Sequence, residues 1–260
     1  MSLFEKLGNR IVQMFGGFAG TIAFSGKVFL RIFQRKTYSS AMREVLLNQI
    51  YFTSVQILPL FLIVSILFGS LFIGVVFTLL KEFGLTRFIG HILMGLIVTE
   101  LSPFLTVLLI TLRSSAAINT EMAVMKVNQE IKTLEIFRID IIDYLVMPRI
   151  INGIVSIVLL SSLFSIVLLV SGNLFSWMMF GMSSDVYSNL LLNSTDFSDI
   201  VIALFKCAVY GFFITLIPIR FGLRASRELT SIPVVVSQGM VNVFAAILMI
   251  EVLSLITKLL

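Results

Sequence analysis

Long apolar runs constrain the fold of this chain more than any other feature of its sequence. Five stretches with few charges, each about twenty residues or longer, cover approximately residues 50–80, 91–118, 150–180, 200–219 and 234–258. In a bilayer, only helices or closed barrels satisfy every backbone polar group, and about twenty apolar residues in a helix cross the hydrocarbon core. The chain is 58% hydrophobic and 13% charged, whereas soluble domains are roughly a quarter charged. We therefore predict an all-α integral membrane protein with five transmembrane helices.

Positive charge is distributed unevenly among the segments outside these runs. Lys and Arg concentrate on the cytoplasmic side of membrane proteins. Seven precede the first span, and they are Lys6, Arg10, Lys27, Arg31, Arg35, Lys36 and Arg43. More accompany the connections at 119–147 and 220–233, whereas the connection at 181–199 has three Asp and no Lys or Arg. We therefore predict a cytoplasmic N-terminus and a C-terminus on the outer side of the membrane.

Residues 1–47 precede the five-span domain, which we place at residues 48–260. Near the start of the chain, apolar residues recur at helical spacing, and they are Leu3, Phe4, Leu7, Ile11, Met14, Phe15 and Phe18. Charged and polar residues occupy the other face, so this helix is too polar to cross a bilayer. Such an amphipathic helix lies in the headgroup plane. We therefore predict membrane-interfacial helices over residues 1–47.

The connection at 119–147 is a polar segment between two apolar spans, and its pattern is helical. On a helix over about residues 120–137, Lys126, Gln129, Glu130 and Thr133 would share one face and Val124, Val127, Ile131 and Leu134 another. Helix connections usually have about two to eight residues, so a plain solvated loop would hardly need so long a patterned segment. We predict that the polar face binds a cytosolic partner.

Two carboxylates lie inside predicted spans. Glu100 is followed by Pro103, which lacks a backbone donor and is expected to kink the second span, and Glu251 lies in the fifth. A charge at the bilayer centre costs about 2.5–3.5 kcal/mol on insertion scales. These acids therefore either give polarity to a cavity or bond to a neighbouring helix, and both interpretations remain open. Lys206, near the outer end of the fourth span, is expected to snorkel to the surface.

Small residues recur at a spacing of four in the first span, at Ser65 and Gly69 and again at Ser70 and Gly74. In lipid this pattern allows two helices to approach closely. Because Ser and Gly are common in such helices, the pattern fits either a packing face or chance.

Several function classes lack the residues that they require. No Gly-x-x-x-x-Gly-Lys-[Ser/Thr] sequence is present, so we expect any ATP hydrolysis to belong to another chain. Cys207 is the only cysteine and His91 the only histidine, so neither a disulfide framework nor a metal cluster is expected. No basic soluble domain exists to bind nucleic acid. We expect a non-enzymatic subunit with no catalytic residues and no cofactor of its own.

The polar segment and its flanks resemble a known family. Glu-Leu-Ser-Pro at 100–103, Arg113, the run INTEMAVMKVNQEIKTLEI, Asp140 and Pro148-Arg149 resemble motifs of the MlaE-type permeases. These are the membrane subunits of ABC transporters in the Mla/Mce lipid-transport systems. The resemblance covers about residues 50–258. Ser102 departs from the family's usual Gly, and Ile141 stands where Pro usually follows Asp140.

The resemblance implies an assembly and a set of residue roles. It implies a homodimer in the bacterial inner membrane that encloses a lipid cavity. It also implies a cytosolic MlaF-like ATPase, which binds ATP and Mg²⁺, and a periplasmic MlaD-like MCE protein. A coupling helix between spans two and three would contact the ATPase through Glu121, Lys126, Gln129, Glu130, Glu135 and Asp140. Ser70, Gly74 and Arg113 would pack helices, and Glu100, Pro103 and Glu251 would lie at the cavity.

The function we expect is that of a permease subunit that moves phospholipid or a related lipid between the inner membrane and a periplasmic carrier. A secondary transporter is one alternative, and it would predict an inverted repeat and buried charge pairs near the midplane. An integral-membrane enzyme that modifies lipids is another. It would gather His, Asp or Glu at the membrane surface.

Overall fold

The computed structural model describes residues 25, 26, 28, 30, 31, 46, 49–85 and 88–259. The interfacial helices predicted over residues 1–47 therefore lie almost entirely outside the described residues. Every regular element in the described part of the chain is helical.

Seven helices organise the described residues. They are α1 (Leu58–Glu82), α2 (Ile89–Val127), α3 (Glu130–Ile136), α4 (Met147–Phe180), α5 (Ser184–Leu192), α6 (Phe197–Gly222) and α7 (Ser231–Leu259). Wider π-helical turns precede α1 and α4, and they cover Tyr51–Val55 and Ile142–Val146. Helices α1, α2, α4, α6 and α7 are long and apolar enough to cross a membrane. The prediction of an all-α protein with five membrane-spanning helices is confirmed.

The five long helices alternate in direction, which gives the bundle two distinct ends. Helix α3 connects α2 to α4 at one end, and α5 connects α4 to α6 at the other. We name these the α3 end and the α5 end. Helix α4 packs between α1 and α6, and α6 also packs against α2 and α7. Helices α4 and α6 therefore form the centre of the bundle.

Helix α1 packs on α4 through its small residues. A Cβ atom added at Gly69 would lie 2.7 Å from the carbonyl oxygen of Leu168, and one at Gly74 would meet the ring of Phe175. Ser65 is buried on the same helix. Ser70 instead donates its hydroxyl to the carbonyl of Ile66, 2.9 Å away in its own helix. Of the two interpretations of this spacing, a packing face fits the contacts at Gly69 and Gly74.

Helix α2 is longer than predicted, and the helix expected over 120–137 is broken. Asn119 is fully buried and donates to the carbonyl of Val235 on α7, 3.3 Å away. This packing carries α2 past the predicted end of the second span at Ile118. The chain then turns at Asn128 and Gln129, where Gln129 has a left-handed φ of 60°, before α3 begins. Sequence periodicity missed the break because the same apolar spacing continues on both sides of it.

Prolines and connections also differ in detail from the prediction. Helix α6 contains Pro218 and continues to Gly222, beyond the predicted end of the fourth span at residue 219. Pro103 lies near the start of an α-helical segment, Ser102–Ile110, which follows the π-helical segment Leu93–Leu101 of α2. The wide turns of Leu93–Leu101 therefore end just before Pro103, which lacks a backbone donor. The predicted outer connection at 181–199 contains α5, which Ser183 caps by accepting from the Val186 N–H at 3.4 Å.

The crossing of α4 and α6 has the closest backbone approach of the bundle centre. A Cβ at Gly211 would lie 2.5 Å from Ile154 Cα and 2.7 Å from the carbonyl oxygen of Gly153. We expect Gly211→Ala to force the two backbones apart and to destabilise the fold by about 1–3 kcal/mol. Thermal unfolding in detergent measures the change. Gly26→Ala is the control, because no described residue lies within 4 Å of its Cβ position. Equal midpoints for the two variants would contradict this packing.

Candidate functional site

A cluster of charged side chains lies inside the bundle where α2, α6 and α7 meet. Lys206 Nζ is 2.5 Å from Glu100 Oε2 and 2.9 Å from Glu251 Oε2. Each of the three residues belongs to a different helix, so the two ion pairs tie three helices together. Of the three side chains, that of Lys206 is 4% exposed, that of Glu100 11% and that of Glu251 16%. We call these three residues the charge cluster.

Polar neighbours complete the charge cluster. The Tyr210 hydroxyl donates to Glu251. Lys258, near the end of α7, donates to the Gly95 carbonyl at 2.9 Å and to the Thr99 hydroxyl at 2.8 Å. Its ammonium lies 3.6 Å from Glu100 Oε1. With Lys258 included, two carboxylates face two ammonium groups, so the group as a whole carries no net charge when all four are ionised.

The structure answers the question left open for the two intramembrane acids. Both bond to a neighbouring helix, and they do so through the same lysine. The expectation that Lys206 snorkels to the surface is wrong, because the residue is only 5% exposed. Its position in the sequence could have predicted the pairing. Lys206 is the tenth residue of an apolar helix, where a cation needs an acidic partner, and Glu100 and Glu251 are the acids inside the other spans.

An apolar groove adjoins the charge cluster between α6 and α7. Its volume is about 380 Å³. Its lining residues are Ile202, Phe205, Lys206, Val209, Phe213, Ala246, Met249, Ile250, Leu253, Ser254 and Thr257. Lys206 is the charged residue among them, so the groove combines apolar walls with one cation that also belongs to the charge cluster. We call this cavity the α6–α7 groove.

The polar segment at the α3 end presents an exposed surface. Helix α3 is anchored by Ile131, which is 2% exposed and packs in a cluster with Met122, Ile150 and Ile219. Lys126, Gln129, Glu130 and Glu135 are exposed. So are the apolar side chains of Ile136 and Phe137, each 71%. The segment therefore offers charged and apolar side chains together to a partner, and the assigned coupling roles stay predictions.

Two of the predicted coupling residues bond within the chain. Glu121 Oε1 is 2.5 Å from Arg149 Nη2 at the start of α4. Asp140 Oδ2 is 2.5 Å from Arg31 Nη1, which also contacts Asp143 at 3.2 Å. Burial acts to raise the pKa of Asp140, but hydrogen bonds from Arg31 and from the Ile142 N–H outweigh it and hold that pKa below its usual range. The pairing orients both acids within the fold.

Arg113, predicted to pack helices, is exposed and lies at the α3 end of the bundle. Its Nη2 donates to Gln56 Oε1 at 2.7 Å and so links α2 to the segment before α1. Elsewhere in the described residues, no group of three or more His, Cys, Asp or Glu is placed to hold a metal ion.

The charge cluster makes a prediction about stability. Lys206→Met would leave two carboxylates buried in an apolar bundle without their shared cation, and breaking a buried pair costs about 3–5 kcal/mol. We expect a large loss of thermal stability in detergent. The triple variant Glu100→Gln, Lys206→Met, Glu251→Gln removes all three charges and should recover most of that loss. A triple variant as unstable as Lys206→Met would contradict the pairing as the cause.

Sequence comparisons place the chain among characterised families. The family model described as Permease MlaE matches residues 46–257. A probable ABC transporter permease protein of Synechocystis is 31% identical over 207 residues, which are 78% of this chain and 75% of that protein. The permease protein MlaE of the Haemophilus influenzae intermembrane phospholipid transport system is 26% identical over 230 residues, 85% of this chain and 84% of that one.

A plant relative matches over a shorter range. The chloroplastic protein TRIGALACTOSYLDIACYLGLYCEROL 1 of Arabidopsis thaliana is 31% identical over 165 residues, 62% of this chain and 47% of that protein. The chain thus spans about half the length of the Arabidopsis protein. Because the family model covers all five membrane-spanning helices and α3, this chain belongs to the MlaE permease family.

Proposed function

We propose that this chain is the membrane subunit of an ABC transporter that moves phospholipid between the bacterial inner membrane and a periplasmic MCE-type carrier. A separate cytosolic ATPase binds ATP and Mg²⁺ and drives the movement. The observation that carries the proposal is the α6–α7 groove, an apolar cavity that shares Lys206 with the charge cluster. The printed names of the relatives, ABC permeases and a phospholipid-transport permease, support it.

The groove matches an amphiphile in its chemistry. Phe205, Met249 and Leu253 line it and are 71%, 51% and 59% exposed. Exposed apolar surface of this kind fits acyl chains, because contact with them removes no favourable hydration. Lys206 also lines the cavity, but its ammonium is paired with Glu100 and Glu251, so the groove suits the apolar part of such a molecule.

A second copy of the chain completes the lipid path. Helix α7 exposes large apolar side chains along its length, including Val234, Val241, Leu248 and Val252. In a homodimer with twofold symmetry, such a surface meets its own copy. Two grooves then face a shared cavity near the axis, and ten spans rather than five surround the lipid.

The ATPase acts through the exposed surface at the α3 end. Ile131 of α3 packs with Met122 of α2, Ile150 of α4 and Ile219 of α6. A displacement of α3 would therefore act directly on three long helices, α2, α4 and α6. Helix α6 carries that displacement towards Lys206 and the groove, since packed helices move as rigid units.

In this proposal the α3 end faces the cytoplasm and the α5 end the periplasm. Arg138, Arg220, Arg224 and Arg227 lie at the α3 end, whereas Asp185, Asp196 and Asp199 lie in or beside α5. This distribution follows the positive-inside rule.

Charge reversal on the exposed surface at the α3 end tests whether that surface couples the ATPase to lipid transfer. We expect Lys126→Glu or Glu130→Lys to abolish ATP-driven lipid transfer in reconstituted vesicles, because each places a repulsive charge against the ATPase. Bound lipid should remain in both variants. Asp185→Lys is the control, since it reverses an exposed charge at the other end of the bundle. Normal transfer by both docking variants would refute this assignment.

The charge cluster also favours a second candidate, because buried charge pairs are expected of a proton-coupled secondary transporter. The same vesicles separate the two functions. Transfer that requires the ATPase and ATP supports the ABC permease. Transfer driven by a proton gradient with no ATPase present supports the secondary transporter.

Filling the groove tests the lipid site itself. Ser254 is small and lines the groove, so we expect Ser254→Trp to occupy the space of an acyl chain and to reduce transfer several-fold. Ile166→Trp is the control, because Ile166 is 62% exposed on α4, does not line the groove and lies outside the apolar surface of α7. Phospholipid retained on purification and lipid transfer are the measurements. Equal values for the two variants would argue against the groove as the lipid site.

A further inference from the structure

A second pocket lies at the α3 end of the bundle, far along α2 from the charge cluster. Its volume is about 400 Å³, and it lies between the segment before α1, the end of α2 and the start of α4. Its lining is rich in polar side chains, which include Gln49, Thr53, Gln56, Arg113, Arg149 and Asn152. The α6–α7 groove is lined mainly by apolar side chains. The groove therefore suits apolar groups, whereas this pocket suits a polar or charged group.

Arg149 presents hydrogen-bond donors to this pocket. The residue is 6% exposed. Its Nη1 donates to the Leu145 carbonyl at 2.9 Å and its Nη2 to Glu121 Oε1 at 2.5 Å. A guanidinium has five N–H donors, so these two bonds do not use all of them. An anion that enters the pocket would accept from the remaining donors.

Arg113 places a second guanidinium in the same pocket. One of its nitrogens donates to Gln56 Oε1 at 2.7 Å, and the side chain is otherwise exposed. Two arginines and one carboxylate, Glu121, line the pocket, so the local charge is two minus one, or +1. One phosphodiester anion would neutralise it.

The surroundings of the pocket are apolar. Val55 and Leu112, the chain neighbours of Gln56 and Arg113, are 47% and 62% exposed. A ligand with its anionic group between the arginines would therefore have apolar surface beside it for tails. This combination fits a membrane lipid better than a small soluble anion.

We propose that this pocket binds the phosphate group of a phospholipid from the leaflet at the α3 end, as a second lipid site distinct from the α6–α7 groove. Guanidinium groups recognise phosphate oxygens in bidentate fashion, and basic pockets between transmembrane helices on the cytoplasmic side bind lipid headgroups. The proposal rests on the proposed function only in its choice of leaflet and of lipid as ligand. The site gives the permease contact with lipid in the leaflet opposite the periplasmic carrier.

Lipid retention by the purified full chain tests the proposal. The chain is incorporated in detergent micelles with phosphatidylglycerol as the probe, and native mass spectrometry counts the lipid retained. We expect Arg113→Gln to lower the affinity of one lipid site roughly tenfold, as expected for loss of a charge-assisted hydrogen bond. Lys126→Gln is the matched control, because it removes an exposed cation from the same end but outside the pocket. Equal loss in the two variants would overturn the proposal.

Two further arms separate the possible outcomes. Ser114→Phe fills the pocket without a change of charge and should have the same effect as Arg113→Gln, so unchanged retention in Ser114→Phe would also overturn the proposal. Inorganic phosphate added as a competitor distinguishes the ligand source: displacement at equal concentration would indicate a free-anion site and refute a lipid site. Ser254→Trp should leave this site intact. Failure of the groove would thus be distinguishable from failure of this pocket.

Discussion

The ion pairs of Lys206 with Glu100 and Glu251 are the interaction on which the bundle depends most. Water cannot screen them where three apolar helices meet, so each charge must find its opposite inside the protein. Lys206 satisfies two acids at once, at 2.5 and 2.9 Å, and Lys258 balances the remaining charge. Such a cluster stabilises less by its own attraction than by penalising any separation of α2, α6 and α7, because separation leaves a buried charge unpaired. The charge cluster therefore fixes the positions of α2, α6 and α7 beside the α6–α7 groove.

Helix α6 connects this constraint to the opposite end of the molecule. Lys206 lies in its first half, and Leu216 and Ile219 near its end are fully buried in the cluster that anchors α3. Gly211 lies between them, where α6 touches the backbone of α4. In the proposed function, a displacement of α3 is passed on to α6. It would either tilt α6 about this crossing or strain the charge cluster, and either change would alter the α6–α7 groove.

The sequence predicted the spans well because hydropathy is a property of single helices. It also singled out Glu100 and Glu251 as intramembrane acids, with a cavity role and a bond to a neighbouring helix both left open. The spacing of small residues in the first span was left open in the same way, between a packing face and chance. It failed for Lys206, because a lysine near a helix end is compatible with snorkelling until the neighbouring helices are known. The break at Asn128 and Gln129 was missed for a related reason. Periodicity continues through it, and the burial of Asn119 against α7 is a tertiary contact that no local pattern carries.

The two polar regions inside the bundle differ in how far their hydrogen bonds and charges are satisfied. With Lys258 included, the carboxylates and ammonium groups at the charge cluster balance, and Tyr210 and Thr99 add further hydrogen bonds. A closed arrangement of this kind holds helices together and has little to offer a ligand. The pocket at the α3 end has two guanidinium groups and a single carboxylate, and Arg113 is exposed. Its net positive charge is not closed off by ion pairs, and this open charge is what favours an anion as ligand.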